Sequence, residues 1–153
     1  MDLIRFSIPS EPQPRQSVRS MIIEPKNGKK PFIHHYQPND RAASWIGTVR
    51  HFANLHKPPQ LFDDAIGLVI IYRKFRPKSV KKEKTFLSVK PDLGNLEKPL
   101  LDAMQGIIYT NDSRVVFKAE LKMYSDKCGV DIIVIPPDKL SDMINRILCQ
   151  VLE

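Results

Sequence analysis

A chain of 153 residues with 42% apolar and 27% charged residues has the size and balance of one globular domain with a substantial core. No run approaches the roughly 20 apolar residues of a bilayer-spanning helix, and the opening MDLIRFSIPSEPQPR lacks the basic-then-apolar order of a secretion signal, so a cytoplasmic address is expected. The formal net charge of +7 is concentrated in residues 73–90, leaving the rest of the chain close to neutral.

Residues 3–8, LIRFSI, alternate apolar and polar as a strand does, and the Pro-rich stretch at about 9–19 reads as an extended arm carrying Arg15 and Arg19. MIIEPKNGKKPFIHHY sets Asn27-Gly28 between two apolar runs, a two-residue hairpin turn. Pro25 and Pro31 make it an edge ribbon, since neither can donate to a ladder. Lys26, Lys29 and Lys30 at its tip suit DNA contact or simple solvation. His34 and His35, adjacent on a strand, face opposite ways and cannot act together.

Residues 39–56 repeat apolar positions in steps of three and four, through Trp45, Ile46, Val49, Phe52 and Ala53. They predict an amphipathic helix, capped by Asn39 or Asp40, with Trp45 and Phe52 in the core. AIGLVIIYRKF, 65–75, is rich in β-branched residues and predicts a central strand. It runs straight into the basic segment, where Arg73, Lys74, Arg76, Lys78, Lys81, Lys82, Lys84 and Lys90 stand against the single Glu83. Such a segment either meets a polyanion, whose phosphates release counterions on binding, or is a solvated loop.

After Asp92 a second helix is expected, with Leu96, Leu100 and Met104 on one face and Asn95 as a possible cap, although Pro99 then falls early in it. Residues 115–124 and 130–135 predict an antiparallel pair around an SDKCG turn, and about 138–152 a terminal helix with Leu140, Met143, Ile144 and Ile147 inward. The order of elements gives a single α+β domain over 1–153, with a mixed, mainly antiparallel sheet and helices packed largely on one face. The two cysteines, Cys128 and Cys149, indicate neither a disulfide framework nor a zinc site.

Asp92, Asn95, Lys98 and Asp102 are spaced by three, three and four residues, which gathers them near one helical face. Asp112, where a turn enters a strand, can converge on Asp92 if that strand lies beside the helix start. Carboxylates at such a point bind hard cations through oxygen, and a nearby lysine neutralises charge on a phosphate. The same residues also serve as ordinary helix-start and turn residues, and spacing alone leaves both readings open.

KPDLGNLEKPLLDAMQGIIYTNDSRVV, residues 90–116, resembles the motif of the RusA-type Holliday junction resolvases. The resemblance implies that Asp92 and Asp112 are metal-binding and catalytic acids, that Lys98 is the motif lysine, and that Asn95, Asp102 and Asn111 are outer-shell or structural. It implies Mg²⁺ as cofactor, a homodimer, and binding of four-way DNA junctions that are nicked symmetrically in recombination and repair, often in phage or prophage systems. Arg15 and the basic segment would then contact DNA. Gly94 departs from the pattern, since it occupies the place of a second acid and predicts impaired cleavage. Alternatives are a non-catalytic junction-binding dimer of the same fold or a basic RNA-associated protein.

Overall fold

The computed structural model describes residues 2–15, 19–25, 30–36 and 41–152. Strands β1 (Ile4–Ile8), β4 (Ile66–Phe75), β5 (Val115–Ser125) and β6 (Gly129–Ile135) form one sheet in the order β1-β6-β4-β5. β4 pairs antiparallel with β6 and parallel with β5, and β6 pairs antiparallel with β1, so the sheet is mixed and mainly antiparallel. Strands β2 (Arg19–Ile23) and β3 (Phe32–Tyr36) make a separate antiparallel ribbon instead of an edge of the main sheet. The Asn27-Gly28 turn, Lys26 and Lys29 and the candidate caps Asn39 and Asp40 lie outside the described residues.

β4 is central because it is apolar on both faces. Ile66, Leu68, Ile70 and Tyr72 are buried against α1 (Arg41–Leu55) and α2 (Leu93–Met104), together with Phe6, Ile8, Val130, Ile132 and Val134 from the neighbouring strands. Trp45, Val49 and Ala53 of α1 meet Leu96, Leu100 and Met104 of α2 in the same core, as their spacing predicts, and Phe52 packs at its margin. Helix α3 (Pro137–Leu152) crosses the other face of the sheet, where Gly67 gives it room. A Cβ there would lie 2.9 Å from Leu140 Cδ1.

One expected pairing is corrected. β5 and β6 are not partners, because β4 lies between them and the short link at 126–128 steps across two interstrand spacings, about 10 Å. A strand that must bury both faces takes the middle of the sheet and displaces the hairpin that sequence proximity suggests. The outer edge of β5 is met by the tail of the basic segment. Tyr124 N–H donates to Thr85 O (2.8 Å), Leu87 N–H donates to Lys122 O (3.0 Å), and Phe86 bridges Met123 antiparallel.

Candidate functional site

The N-cap of α2 is Asp92, in extended conformation, and not Asn95, which stands in the first turn. The Asp92 main-chain oxygen accepts from Asn95 and Leu96, both at 3.2 Å, while its carboxylate makes no capping bond and is left exposed. The approach to Asp92 is held from the sheet. Lys122 Nζ of β5 donates to Val89 O (3.0 Å) and Pro91 O (2.7 Å), on either side of the cis Lys90–Pro91 peptide.

At its other end α2 stops at Met104, and Gly106 takes the left-handed conformation (φ 75°) that a side chain would disfavour. This reversal returns the chain along the helix. Ile108 N–H donates to Met104 O (2.9 Å), and the buried Tyr109 hydroxyl donates to Leu101 O (2.9 Å). Asn111 then caps the short 3-10 turn Asp112–Arg114, its side-chain oxygen accepting from Ser113 N–H at 2.9 Å. The result is that Lys98 Nζ reaches both Asp102 Oδ1 (2.8 Å) and Asp112 Oδ2 (3.1 Å). These two bonds, Asp102 first, raise the Lys98 pKa above its ordinary value, so the lysine stays charged.

Two residues that sequence reasoning passed over hold the segments around Asp112 and Asp92 in place. Asp63, just ahead of β4, accepts from Thr110 Oγ1 (2.6 Å) and from Arg114 Nε (3.1 Å), pinning the chain on both sides of Asp112. The Thr110 hydroxyl, and then the Arg114 charge, hold the Asp63 carboxyl below its usual range. Lys122 does the corresponding work for Asp92. Neither has a local sequence signal, because the partners are main-chain oxygens or residues dozens of positions away.

The basic segment divides. Arg73 pairs with Asp131 at 2.8 Å, beside the Ser7 hydroxyl, and is committed to the sheet face. Lys74 approaches Glu11 of the arm at 3.9 Å. Arg76 lies over the Tyr124 ring and donates through one nitrogen to Lys81 O (2.9 Å) and Lys84 O (2.7 Å), which shapes the loop. Lys78, Lys81, Lys82, Lys84 and Lys90 are exposed. The arm itself reaches α2, where Arg15 N–H donates to Asn95 O at 2.6 Å.

Further along α2, Glu97 pairs with Lys118 of β5, and Tyr72 donates to Glu120 Oε1 at 3.3 Å. Burial, and then the Glu97 charge, push the half-buried Glu120 carboxyl upward.

The donor set fits a hard cation incompletely. Among the described residues, no three of His, Cys, Asp and Glu stand together where they could hold a metal ion. Asp92 and Asp112 are the candidate ligands. A Cβ at Gly94 would meet nothing within 4 Å, so the place of a third carboxylate is open space next to the helix start.

A model of the endodeoxyribonuclease RusA family matches residues 9–135, from the arm through β6. This chain belongs to the endodeoxyribonuclease RusA family. The match takes in Asp92, Gly94, Lys98 and Asp112 as well as Arg15 and the basic loop, and it leaves α3 outside. The uncharacterized protein YqaN of Bacillus subtilis (strain 168) is 32% identical over 149 residues, covering 88% of this chain and 96% of that protein. The likeness to YqaN therefore runs through nearly the whole RusA-family chain and brings no activity of its own.

Proposed function

We propose that this RusA-family chain is a homodimeric, structure-specific DNA-binding protein that recognises four-way junctions, and that its Mg²⁺-dependent cleavage of phosphodiesters is impaired by Gly94. The observation that carries this reading is the contact of Asp112 with Lys98, midway along the helix whose exposed N-cap is Asp92. Lys98 is held protonated and can offset charge on a phosphate brought to the helix start. Asp92 and Asp112 would hold the cation. When bound, a hard cation of this kind takes oxygen ligands and supplies an activated water and charge neutralisation at the scissile phosphate.

With Gly94 the helix start offers one carboxylate fewer than the family pattern, so affinity for the ion and turnover both fall while the basic surface still holds DNA. That distinction favours a junction binder of low or no activity over an efficient nuclease. The exposed lysines of the 78–84 loop supply phosphate contacts. The loop's tail is fixed to the edge of β5 and leads directly into Asp92, which supports a role for those lysines near the candidate site.

The deciding experiment incubates labelled four-way junction, linear duplex and RNA hairpin with the wild-type chain and with Gly94→Asp, with and without Mg²⁺. Junction binding by both proteins and cutting mainly by Gly94→Asp in Mg²⁺ are expected. Equal affinity for junction and linear duplex would overturn the structure-specific reading. Preference for the RNA hairpin would replace it with an RNA-associated role, and a Gly94→Asp protein that cuts nothing would sink the metal-site assignment.

A further inference from the structure

Pro99 lies inside α2 and is buried, six residues into the helix from Leu93. Proline has no N–H, and its ring crowds the carbonyl four residues back, so the main-chain oxygen of Asn95 loses the helical donor it would otherwise have and is turned outward. That oxygen is the one that accepts from Arg15 N–H, at 2.6 Å. A gap in the helical ladder is thus filled by the backbone of the arm. A second, independent feature brings the arm to this place: Glu11 approaches Lys74 of β4, and Glu11 and Pro12 share a crevice with Pro91 and Leu96, the residues flanking the helix start.

We propose that Pro99 is a positioning residue: by withholding a hydrogen bond from Asn95, it docks the Pro-rich arm on the first turn of α2 and holds the Arg15 side chain at the Asp92 end of that helix, for a DNA phosphate. The side chain of Arg15 is exposed and leaves the arm at the docked atom. The guanidinium is thus carried on a residue whose main chain is fixed to the first turn of α2, within reach of a phosphate brought to the helix start. The bond that Pro99 makes possible, Arg15 N–H to Asn95 O, is a main-chain bond. The phosphate contact rests on the nuclease-family reading above.

Alanine at 99 supplies the missing N–H and relaxes the Asn95 carbonyl toward the helix axis. Because alanine favours a helix interior over proline, the variant keeps its fold, and any change in the arm is not a consequence of unfolding. The test is amide hydrogen exchange at Arg15 in the full chain for wild type, Pro99→Ala and Arg15→Gln, combined with four-way-junction affinity across a salt series for these proteins and the double variant.

The Arg15 amide is expected to be protected in wild type and in Arg15→Gln, and to exchange freely in Pro99→Ala. Each single variant should flatten the log affinity against log salt slope by about 0.9, the value of one phosphate contact, and the double variant should flatten it no further, because both remove the same contact. An Arg15 amide that is unprotected in wild type, or equally protected in Pro99→Ala, overturns the dock. Additive slopes overturn the claim that Pro99 acts through Arg15. A wild-type chain that binds no junction at all overturns the phosphate contact along with the functional reading, and the exchange pattern still decides the dock by itself.

Discussion

Lys98 and Asp112 are 14 residues apart in sequence and 3.1 Å apart in space, joined because Gly106 reverses the chain at the end of α2. The same ammonium also reaches Asp102, so one lysine ties a helix to the turn that follows it. Lys98→Met leaves two carboxylates facing each other without their cation. Both partners are exposed enough that the stability change should be small, within about 1 kcal/mol in urea unfolding. Cleavage in a Gly94→Asp background should fall well beyond what that change explains. The folded Lys98 pKa is raised, so the pair's contribution is complete below the lysine's ordinary value of 10.5 and is lost only as pH rises through the higher folded value. Across neutral pH the Lys98→Met effect should therefore be flat.

Gly94→Asp places a carboxylate at the second residue of α2, where the first turn has no acid and a side chain meets no neighbour. Interaction with the helix N-terminus should stabilise the variant by about 0.3–1 kcal/mol at low salt. Gly94→Ala is the control that adds helix propensity without charge. Thermal unfolding should rank Asp above Ala at low salt, with the gap closing as salt is added. Addition of Mg²⁺ should raise the midpoint of the Asp variant further than that of wild type, and equal shifts would remove 94 from the ion's surroundings.

Asp63 gives a pH prediction with a defined sign. Its folded pKa is depressed, by the Thr110 hydroxyl first and then by Arg114, so what it contributes is present above the ordinary carboxylate value of 3.8 and is lost as pH falls through the lower folded value. An NMR titration should place its midpoint below 3.8. Asp63→Asn should speed amide exchange in the turn around Asp112 while leaving exchange in β4 unchanged. An Asp63 midpoint at or above the ordinary value would show that the Thr110 and Arg114 contacts do not persist in solution.

How far the sequence reaches can be judged from such residues. The apolar steps of Trp45, Val49 and Ala53 and the β-branched run of β4 announce their elements, because burial imposes a period of 3.6 or an unbroken apolar strand. The Lys98–Asp112 contact joins two residues of one long motif with fixed spacing, whereas the expectation that Asp112 converges on Asp92 comes from that motif and not from any local signal. The position of β4 between β5 and β6 was not legible, since a short link favours a hairpin and only the two-sided burial of β4 decides otherwise. Asn95 was a plausible cap by residue type, yet the extended Pro91–Asp92 segment, tied down by Lys122, starts the helix earlier. Arg73 and Arg76 looked like DNA contacts by charge alone. Their partners, Asp131 for one and two loop carbonyls for the other, are set by tertiary structure.

Lys122→Met tests the tether on Asp92. The ammonium satisfies Val89 O and Pro91 O, and removing bonds of this charged kind costs on the order of 1.5–3 kcal/mol. Methionine keeps the length and packing of the side chain. Urea unfolding should show a loss of that order, and the Leu93 to Leu96 amides should exchange faster, because the segment leading into α2 is freed. A stability loss without faster exchange there would mean that Lys122 supports β5 and not the approach to Asp92.

The lysines of the basic loop and the arginine that shapes it should separate in one set of measurements. Lys81, Lys82 and Lys84 are exposed, so changing all three to Gln should leave thermal stability within about 0.5 kcal/mol, as for surface changes in general. The same triple change should flatten the salt dependence of junction binding by up to about 0.9 for each lysine that neutralises a phosphate. Arg76 donates to the carbonyls of Lys81 and Lys84 and rests on Tyr124, so it has little left to offer a phosphate. Arg76→Ala should lower stability measurably and weaken junction binding at every salt concentration by a similar factor, because it disorders the loop without removing the charges that bind. If Arg76→Ala instead flattens the salt slope as a lysine does while stability is unchanged, Arg76 itself meets a phosphate, and its bonds to the loop carbonyls give way when DNA arrives.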